Sequence, residues 1–213
     1  MVLPGEEVNL ILDKLEEMYP DAGCELDYRT PFQLLIAVVL SAQTTDKKVN
    51  EVTEHLFLRY PNLDEMMTLS EKELQDIIKK IGLYRNKAKH ITGLCRMIKE
   101  HYEGNVPNTF EELVGLPGVG RKTANVLLSN AFNIPAIAVD THVFRVSNRI
   151  GLADANNVLD TEKQLMDAIP REKWIQTHHM LIWHGRRVCF ARHPNCSNCE
   201  LKEYCQYSRK LIE

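Results

Sequence analysis

Residues Leu116–Ala124 read LPGVGRKTA, and this stretch is the strongest indication of how the chain folds. A short helix is predicted before it at about 110–115, and an apolar helix that follows it ends near residue 132. Two glycines separated by one apolar residue let the backbone turn sharply and expose consecutive N–H groups. Those groups would lie at the start of a helix, where they can bind a phosphate. The pattern therefore predicts a helix–hairpin–helix over about 110–132.

Such a hairpin is typical of elements that contact the DNA backbone without reading base sequence. The residues expected to contact DNA here are Gly118, Val119, Gly120, Arg121 and Thr123. The alternative is a plain turn between two helices, in which the glycines serve only the geometry of the chain. The Leu-Pro sequence before the glycines and the Arg-Lys-Thr-Ala sequence after them favour phosphate binding.

The pattern of the remaining sequence is helical as well. Apolar residues recur at i, i+3, i+4 and i+7 over Leu74–Ile81, and a similar spacing extends over 88–102. Sequences of the capping-box type, S/T-x-x-E/Q, begin at Thr30, Ser70, Thr109 and Thr161. No segment combines sustained apolar–polar alternation with β-branched enrichment. The sequence therefore predicts an all-α protein.

We expect two lobes in this chain of 213 residues, which is long enough to bury a sizeable core without disulfides. One compact helical domain would span residues 24–134 and contain the helix–hairpin–helix. The segments 1–23 and 135–213 would together form a second, discontinuous domain.

The net charge of −3 argues mildly against a polyanionic partner, but the charges are unevenly distributed. Residues 171–213 carry eight Lys and Arg but only four Asp and Glu, so a basic face can coexist with an acidic remainder. The longest apolar run, Leu34–Leu40, has seven residues, whereas a membrane-spanning helix needs about 20. The N-terminal segment lacks a signal-peptide pattern. We therefore expect a cytoplasmic protein without a membrane partner.

Lys122 lies in the first turn of the helix predicted after the hairpin glycines. A cation in this position opposes the helix dipole by about 0.3–1 kcal/mol, which suggests that it has another use. A lysine must be neutral to act as a nucleophile, and the helix start, Arg121 and partial burial would each lower its pKa. From this segment alone, a second phosphate-contacting lysine is the favoured interpretation.

Asp140 opens another predicted helix within the stretch AVDTHVFRV, residues 138–146. An N-cap role alone would explain the aspartate. A capped carboxylate is also fixed in space, so it could accept a proton and stabilise positive charge developing on a sugar. Near Lys122, however, an anion would raise the lysine pKa and work against the helix dipole. Taken alone, Asp140 is more typical of a cap than of a catalyst.

Four of the six cysteines follow the pattern C-x6-C-x2-C-x5-C, namely Cys189, Cys196, Cys199 and Cys205. Four soft ligands so close together are typical of zinc or of an iron–sulfur cluster. Structural zinc usually takes two paired ligand sets, and only one C-x2-C pair is present here. The spacing therefore favours a [4Fe–4S] cluster over zinc. Arg192 and His193, in the loop between the first two cysteines, are candidate phosphate contacts.

The hairpin stretch, the stretch around Asp140 and the cysteine pattern follow one another along the chain. In this order they resemble the endonuclease III family, the helix–hairpin–helix DNA glycosylase/lyases. Two further stretches agree, namely LIAVVLSAQTTD from Leu35 to Asp46 and IGLYRNKA from Ile81 to Ala88. The resemblance extends from about residue 5 to the C-terminus and looks closest to bacterial members. It implies a six-helix barrel domain, a lobe holding a [4Fe–4S] cluster, and a DNA-binding cleft between them.

The resemblance also implies a reaction in base-excision repair. An oxidised pyrimidine such as thymine glycol, in duplex DNA, would be flipped from the stack. Lys122 would attack C1′, expel the base and form a Schiff base, and β-elimination would then break the strand 3′ to the abasic site. Asp140 would assist as proton acceptor and charge stabiliser. The implied partner is double-stranded DNA with a damaged base or an abasic site, bound by a monomer in the bacterial cytosol or nucleoid.

Further DNA contacts are implied by the same resemblance. Gln43 would fill the gap left by the flipped nucleotide, and Leu83 would wedge into the opposite strand. Their alternative interpretations are an exposed loop glutamine and a core leucine. Other implied contacts are His142, Arg145 and Arg192. The cluster loop departs from the family in having His193 and Asn195 where relatives often place more basic residues, which bears on how strongly it grips phosphate.

Three rival functions remain. Glycosylases that remove adenine from mismatches have no lysine at the position of Lys122, so its presence disfavours them. A non-catalytic DNA-binding module would not need both Lys122 and Asp140. A zinc-dependent nucleic-acid binder would lack the brown colour that an iron–sulfur cluster confers.

Overall fold

The computed structural model describes residues 2–212, and every regular element in that range is a helix, which confirms the all-α prediction. None of these helices is both long enough and apolar enough to cross a membrane. The chain forms two compact units. The continuous unit is Glu25–Ile134, and the discontinuous unit joins Met1–Cys24 to Pro135–Glu213.

The continuous unit is organised around one helix that is apolar along most of its length. Its helices are α2 (Pro31–Ser41), α3 (Asp46–Arg59), α4 (Leu63–Met66), α5 (Glu71–Ile78), α6 (Tyr84–His101), α7 (Phe110–Gly115) and α8 (Arg121–Ala131). The apolar run predicted from the sequence lies in α2, where every residue from Phe32 to Leu40 is buried. A helix that is apolar on all sides must be covered on all sides, and α2 packs against α3, α6 and α8.

Side-chain caps begin most of these helices, three of them at the predicted residues Thr30, Ser70 and Thr109. The capping box at Ser70 is complete, because the Glu73 N–H donates to Ser70 Oγ (3.2 Å) and the Ser70 N–H donates to Glu73 Oε2 (2.8 Å). Thr30 and Thr109 also accept from the N–H three residues on. These bonds satisfy backbone donors that a helix start would otherwise leave without a partner.

The capping box predicted at Thr161 is wrong. Helix α10 (Val158–Ala168) has Asn157 as its cap, and Asn157 Oδ1 accepts from the Asp160 N–H (2.9 Å). Asparagine is as good an N-cap as serine or threonine. Thr161 is buried one turn into the helix and donates its hydroxyl to the Asn157 carbonyl (2.9 Å).

The discontinuous unit is built on the packing of α9 (Thr141–Ile150) against α11 (Trp174–Arg187). Its helices are α1 (Gly5–Met18), α9 (Thr141–Ile150), α10 (Val158–Ala168), α11 (Trp174–Arg187) and α12 (Gln206–Ile212). Helices α10 and α12 pack on α9, and α1 packs on α11. A Cβ at Gly185 would lie 3.0 Å from His142 Cβ and 3.0 Å from Val146 Cγ2, so the glycine permits the close approach of α11 to α9.

Candidate active site and nucleic-acid interface

The hairpin between α7 and α8 has the geometry that its glycines predict. Gly118 has φ +78°, in the left-handed region that favours glycine. The Val119 N–H donates to the Leu116 carbonyl (3.1 Å) and closes the turn, so the N–H of Val119 serves the hairpin itself. Gly120 is the N-cap of α8 and offers no side-chain cap. The first-turn N–H groups of α8 therefore form the kind of helix start that binds anions.

Gly118→Ala is expected to weaken binding to duplex DNA about tenfold or more, because the turn would relax out of the left-handed geometry, and restoring that geometry on binding would cost about 1–3 kcal/mol. In addition, the new Cβ would lie 2.8 Å from His90 Cβ, so the turn must shift. Fluorescence anisotropy with a labelled duplex measures the affinity. The matched control is Gly115→Ala, whose Cβ would meet nothing within 4 Å. Equal affinity of the two variants would contradict the role of the turn.

Lys122 and Arg121 occupy the first turn of α8, and both are exposed. The partial burial expected for Lys122 is therefore not found. Arg121 stacks its guanidinium over the Phe110 ring at 4.8 Å from the centroid, a cation–π contact that gives it a partner within the hairpin. Thr123 is half-buried behind them. The structure thus presents the Lys122 side chain to solvent immediately after the hairpin glycines.

Gln43 and Leu83 lie on two neighbouring loops. Both are exposed, Leu83 by 56%, and both have left-handed backbones with φ +55° and +58°. A Cβ on Gly82 would be 3.8 Å from the Gln43 carbonyl oxygen, which shows how close the two loops are. The interpretation of Leu83 as a core leucine is wrong, because Leu83 is the N-cap of α6 and stands out from the core.

Asp140 caps α9, as predicted. Its Oδ1 accepts from the N–H groups of His142 and Val143, both at 2.8 Å. Two bonds to one oxygen hold the carboxylate in a fixed orientation at the helix start, where the dipole favours an anion. Burial lowers the pKa of His142, the charges of Arg145 and Arg186 act in the same direction, and the charge of Asp140 opposes them.

Arg145 is engaged within its own unit. Its guanidinium donates to the carbonyls of Gly185 (2.9 Å) and Cys189 (3.0 Å) and lies 3.2 Å from His142 Nδ1. These bonds tie α9 to the end of α11 and to the first cysteine of the cluster pattern. DNA contact by Arg145 stays a prediction, and so does DNA contact by Arg192, which is exposed.

The cysteines of the C-x6-C-x2-C-x5-C pattern all line one recess with about 350 Å³ of empty space, part of it open to solvent, namely Cys189, Cys196, Cys199 and Cys205. In the described part of the chain, no three His, Cys, Asp or Glu side chains converge closely enough to hold a single metal ion. Four thiol donors around one recess match the donor set that an iron–sulfur cluster requires.

Two residues that line this recess, Arg149 and His184, were not predicted from the sequence, nor was Tyr19, which contacts His184. Arg149 donates to the carbonyls of Phe190 (2.7 Å) and Ala191 (3.0 Å) and so anchors the loop after Cys189. His184 is buried and lies 3.0 Å from Tyr19 Oη through Nδ1 and 3.7 Å from Cys199 Sγ through Nε2. No local pattern indicates these contacts, because 165 residues separate Tyr19 from His184.

Comparison with known proteins agrees with this geometry. A model of the HhH-GPD superfamily of base excision DNA repair proteins matches residues 36–171. Endonuclease III of Bacillus subtilis is 51% identical over 206 residues, which are 96% of this chain and 94% of that protein. The structure of a trapped endonuclease III–DNA covalent intermediate matches with a TM-score of 0.93 and 50% identity, over 99% of this chain and 100% of the other. A thermostable thymine-DNA glycosylase, 24% identical, shares the fold with a TM-score of 0.86 over 96% of this chain and 98% of its own.

The chain therefore belongs to the HhH-GPD superfamily of base excision DNA repair proteins and, within it, to the endonuclease III family. It is a DNA glycosylase with lyase activity. The two endonuclease III structures that it matches with a TM-score of 0.93 were each determined with DNA bound.

Proposed function

We propose that this enzyme excises oxidised pyrimidines such as thymine glycol from duplex DNA and then cleaves the strand 3′ to the abasic site. The observation that carries the proposal is the exposed Lys122 in the first turn of α8, directly after the hairpin glycines. A phosphate held by the hairpin would place the sugar–phosphate backbone beside a primary amine. Because its substrate is genomic DNA, we place the enzyme in the cytoplasm, at the nucleoid.

Lys122 is the proposed nucleophile. Its neutral amine attacks C1′, the bond between C1′ and the base nitrogen breaks, and the base leaves with a proton. Ring opening yields a protonated Schiff base between Lys122 and the sugar. Loss of a proton from C2′ then expels the 3′ phosphate by β-elimination, and water releases the lysine. The iminium charge is what makes the C2′ proton acidic enough to remove.

Asp140 is the proposed proton acceptor. Its carboxylate is held through Oδ1 by two N–H donors, and no described hydrogen bond reaches Oδ2. An oriented carboxylate can accept a proton released during the attack and can stabilise positive charge developing on the sugar. His142, half-buried in the first turn of the same helix, is the proposed neighbour of the flipped base.

The wedge role of Gln43 and Leu83 is supported by their exposure on neighbouring loops. Base flipping leaves a gap in the stack and an unpaired base opposite it, and inserted side chains offset the cost of unstacking. Gln43 would fill the gap by hydrogen bonding, and Leu83 would separate the bases of the opposite strand. The hairpin phosphate contacts, through Gly118, Gly120, Arg121 and Thr123, would add affinity without sequence preference.

The reaction is tested with a duplex that contains a single thymine glycol. We expect release of the modified base and a β-elimination product in equal amounts, with an undamaged duplex left intact. Base release without strand breakage would contradict the lyase assignment. Release of adenine from a mismatch, with thymine glycol untouched, would favour the rival class of mismatch glycosylases.

We further infer that the four cysteines hold a [4Fe–4S] cluster. When bound, the cluster would cross-link the end of α11 to the start of α12. Its first ligand, Cys189, follows α11, and its last ligand, Cys205, directly precedes α12. Arg149 would hold the loop between the first two ligands in place through the carbonyls of Phe190 and Ala191. Neither role adds a chemical step to base removal.

Cys205→Ser is expected to abolish the absorbance near 400 nm that iron–sulfur proteins show and to lower the thermal midpoint of unfolding, because one ligand is lost. Iron and acid-labile sulfide contents measure the cluster directly. Cys24→Ser is the control, since Cys24 is half-buried outside the recess. Stoichiometric zinc without labile sulfide in the wild-type protein would refute the cluster.

A further inference from the structure

Lys87, in the first turn of α6, is only 3% exposed. Its ammonium group donates to the carbonyls of Leu40 (2.8 Å) and Ala42 (2.6 Å) and to Thr44 Oγ1 (3.1 Å). An ammonium has three N–H donors, and all three find an acceptor here. Every acceptor is an uncharged oxygen, so this buried cation is held by dipoles, and burial lowers the pKa of Lys87.

The three acceptors belong to one short segment at the end of α2. Two of them, Ala42 and Thr44, flank Gln43 in the sequence. The carbonyls of Leu40 and Ala42 lie at the C-terminal, negative end of α2, where a cation is favoured. The Lys87 ammonium therefore holds the backbone before Gln43 through two carbonyls and the residue after Gln43 through its side-chain hydroxyl.

The backbone of Lys87 is bound to the second loop. Its N–H donates to the Leu83 carbonyl (3.1 Å), the first hydrogen bond of α6 after the left-handed Leu83. One residue thus contacts both loops, the Gln43 loop through its side chain and the Leu83 turn through its main chain. Left-handed conformations of non-glycine residues persist only where surrounding contacts hold them. Here Lys87 bonds to both sequence neighbours of Gln43 and to the carbonyl of Leu83.

We propose that Lys87 is a positioning residue that holds the Gln43 loop against the Leu83 turn, so that both side chains enter the DNA as one preorganised wedge. The inference rests on the proposed function, in which Gln43 and Leu83 occupy the duplex after base flipping. Lys87 has its own ammonium group buried and acts through these two residues. A wedge ordered before binding spares the cost of ordering two loops on the DNA.

A purely structural role makes a different prediction. If Lys87 only capped the C-terminus of α2, its loss would lower stability and leave the folded enzyme with normal excision. If it positions the wedge, its loss impairs the step that requires base flipping and spares steps that do not. Lyase cleavage of a preformed abasic site in single-stranded DNA needs no gap filled and no opposite strand separated, so it serves as the insensitive reaction.

The experiment compares Lys87→Met with wild type and with Lys89→Met, an exposed lysine of the same helix. We expect Lys87→Met to slow single-turnover excision from a thymine-glycol duplex at least tenfold. Cleavage of the single-stranded abasic substrate should stay within twofold of wild type. Binding of wild-type protein should increase the fluorescence of a 2-aminopurine placed opposite the lesion. At saturating protein, we expect this increase to be smaller with Lys87→Met and unchanged with Lys89→Met. Lys87→Arg, which keeps a buried donor, should recover part of the excision rate.

A folded Lys87→Met with the wild-type excision rate and 2-aminopurine signal would overturn the inference. If Lys87→Met does not fold, Thr44→Val tests the inference instead. It removes one of the three acceptors of the Lys87 ammonium, at a half-buried loop position. We expect a several-fold loss of excision, and a wild-type rate would again overturn the inference. Gln43→Ala and Leu83→Ala distinguish failure of the wedge role from failure of the positioning role of Lys87. If both are slow while Lys87→Met is normal, only the inference fails; if both are normal, the wedge and the inference fail together.

Discussion

Lys122→Ala is expected to abolish the covalent adduct that borohydride traps between this enzyme and a thymine-glycol duplex. Borohydride reduces the Schiff base to a stable amine, so the adduct requires a primary amine bonded to C1′. Strand cleavage should fall at least about a thousandfold, in line with the loss of a nucleophile in other enzymes. A denaturing gel of protein and labelled DNA measures both products at once.

Lys122→Arg distinguishes the nucleophile from the phosphate contact that the segment alone favoured. Arginine keeps the positive charge at the start of α8 but cannot form a Schiff base, because its guanidinium remains protonated. We expect Lys122→Arg to bind duplex DNA as well as wild type and to form no adduct. An undiminished adduct in Lys122→Ala would disprove the assignment of Lys122 as the nucleophile. Strand cleavage retained in Lys122→Arg would show that Lys122 binds phosphate and is not the nucleophile.

Asp140→Asn is expected to reduce turnover about 10²- to 10⁴-fold, the usual range for loss of a general acid–base group. Asparagine is an equally good N-cap, so its amide oxygen can still accept from the N–H groups of His142 and Val143, which lie 2.8 Å from Oδ1 in the native chain. The charge is removed while the cap is kept. Thermal stability and affinity for damaged duplex should therefore stay close to wild type, and single-turnover kinetics should show the loss.

Asp140→Ala provides the comparison, because it removes both the charge and the cap. Loss of an N-cap costs about 1 kcal/mol, which lowers the thermal midpoint of a domain this size by about 2–4 °C. Equal turnover in Asp140→Asn and wild type would exclude Asp140 as a proton acceptor and leave it only the role of N-cap of α9. Unfolding of Asp140→Asn would show that the charge itself, at the start of α9, is required for stability.

Features of the site that depend on nearest neighbours in sequence were predictable. The hairpin turn follows from Gly118, and the cap of α9 follows from Asp140, because both are determined by bonds within a few residues. The same local reasoning misplaced the start of α10, since Asn157 and Thr161 are both competent caps and only one can lie at the helix start.

Features that depend on burial were not predictable from local patterns. Leu83 has the side chain of a core residue, yet it is 56% exposed because it precedes α6 in a left-handed turn. Lys87 has the side chain of a surface residue, yet it is buried because its acceptors come from a segment more than 40 residues away. Exposure is set by which segments pack together, and that depends on the whole chain.

By itself, the sequence of this protein determined the helical class, the glycine turn beside Lys122, the cap at Asp140 and the cysteine spacing. Each depends on backbone geometry or ligand spacing within a short stretch. Only the tertiary structure brought the four thiols around one recess, engaged Arg145 with the carbonyls of Gly185 and Cys189, and tied the Gln43 loop to the Leu83 turn through Lys87. The physical reason is that hydrogen bonds between distant segments need those segments brought together, and they are strongest where the packed apolar helix faces exclude water.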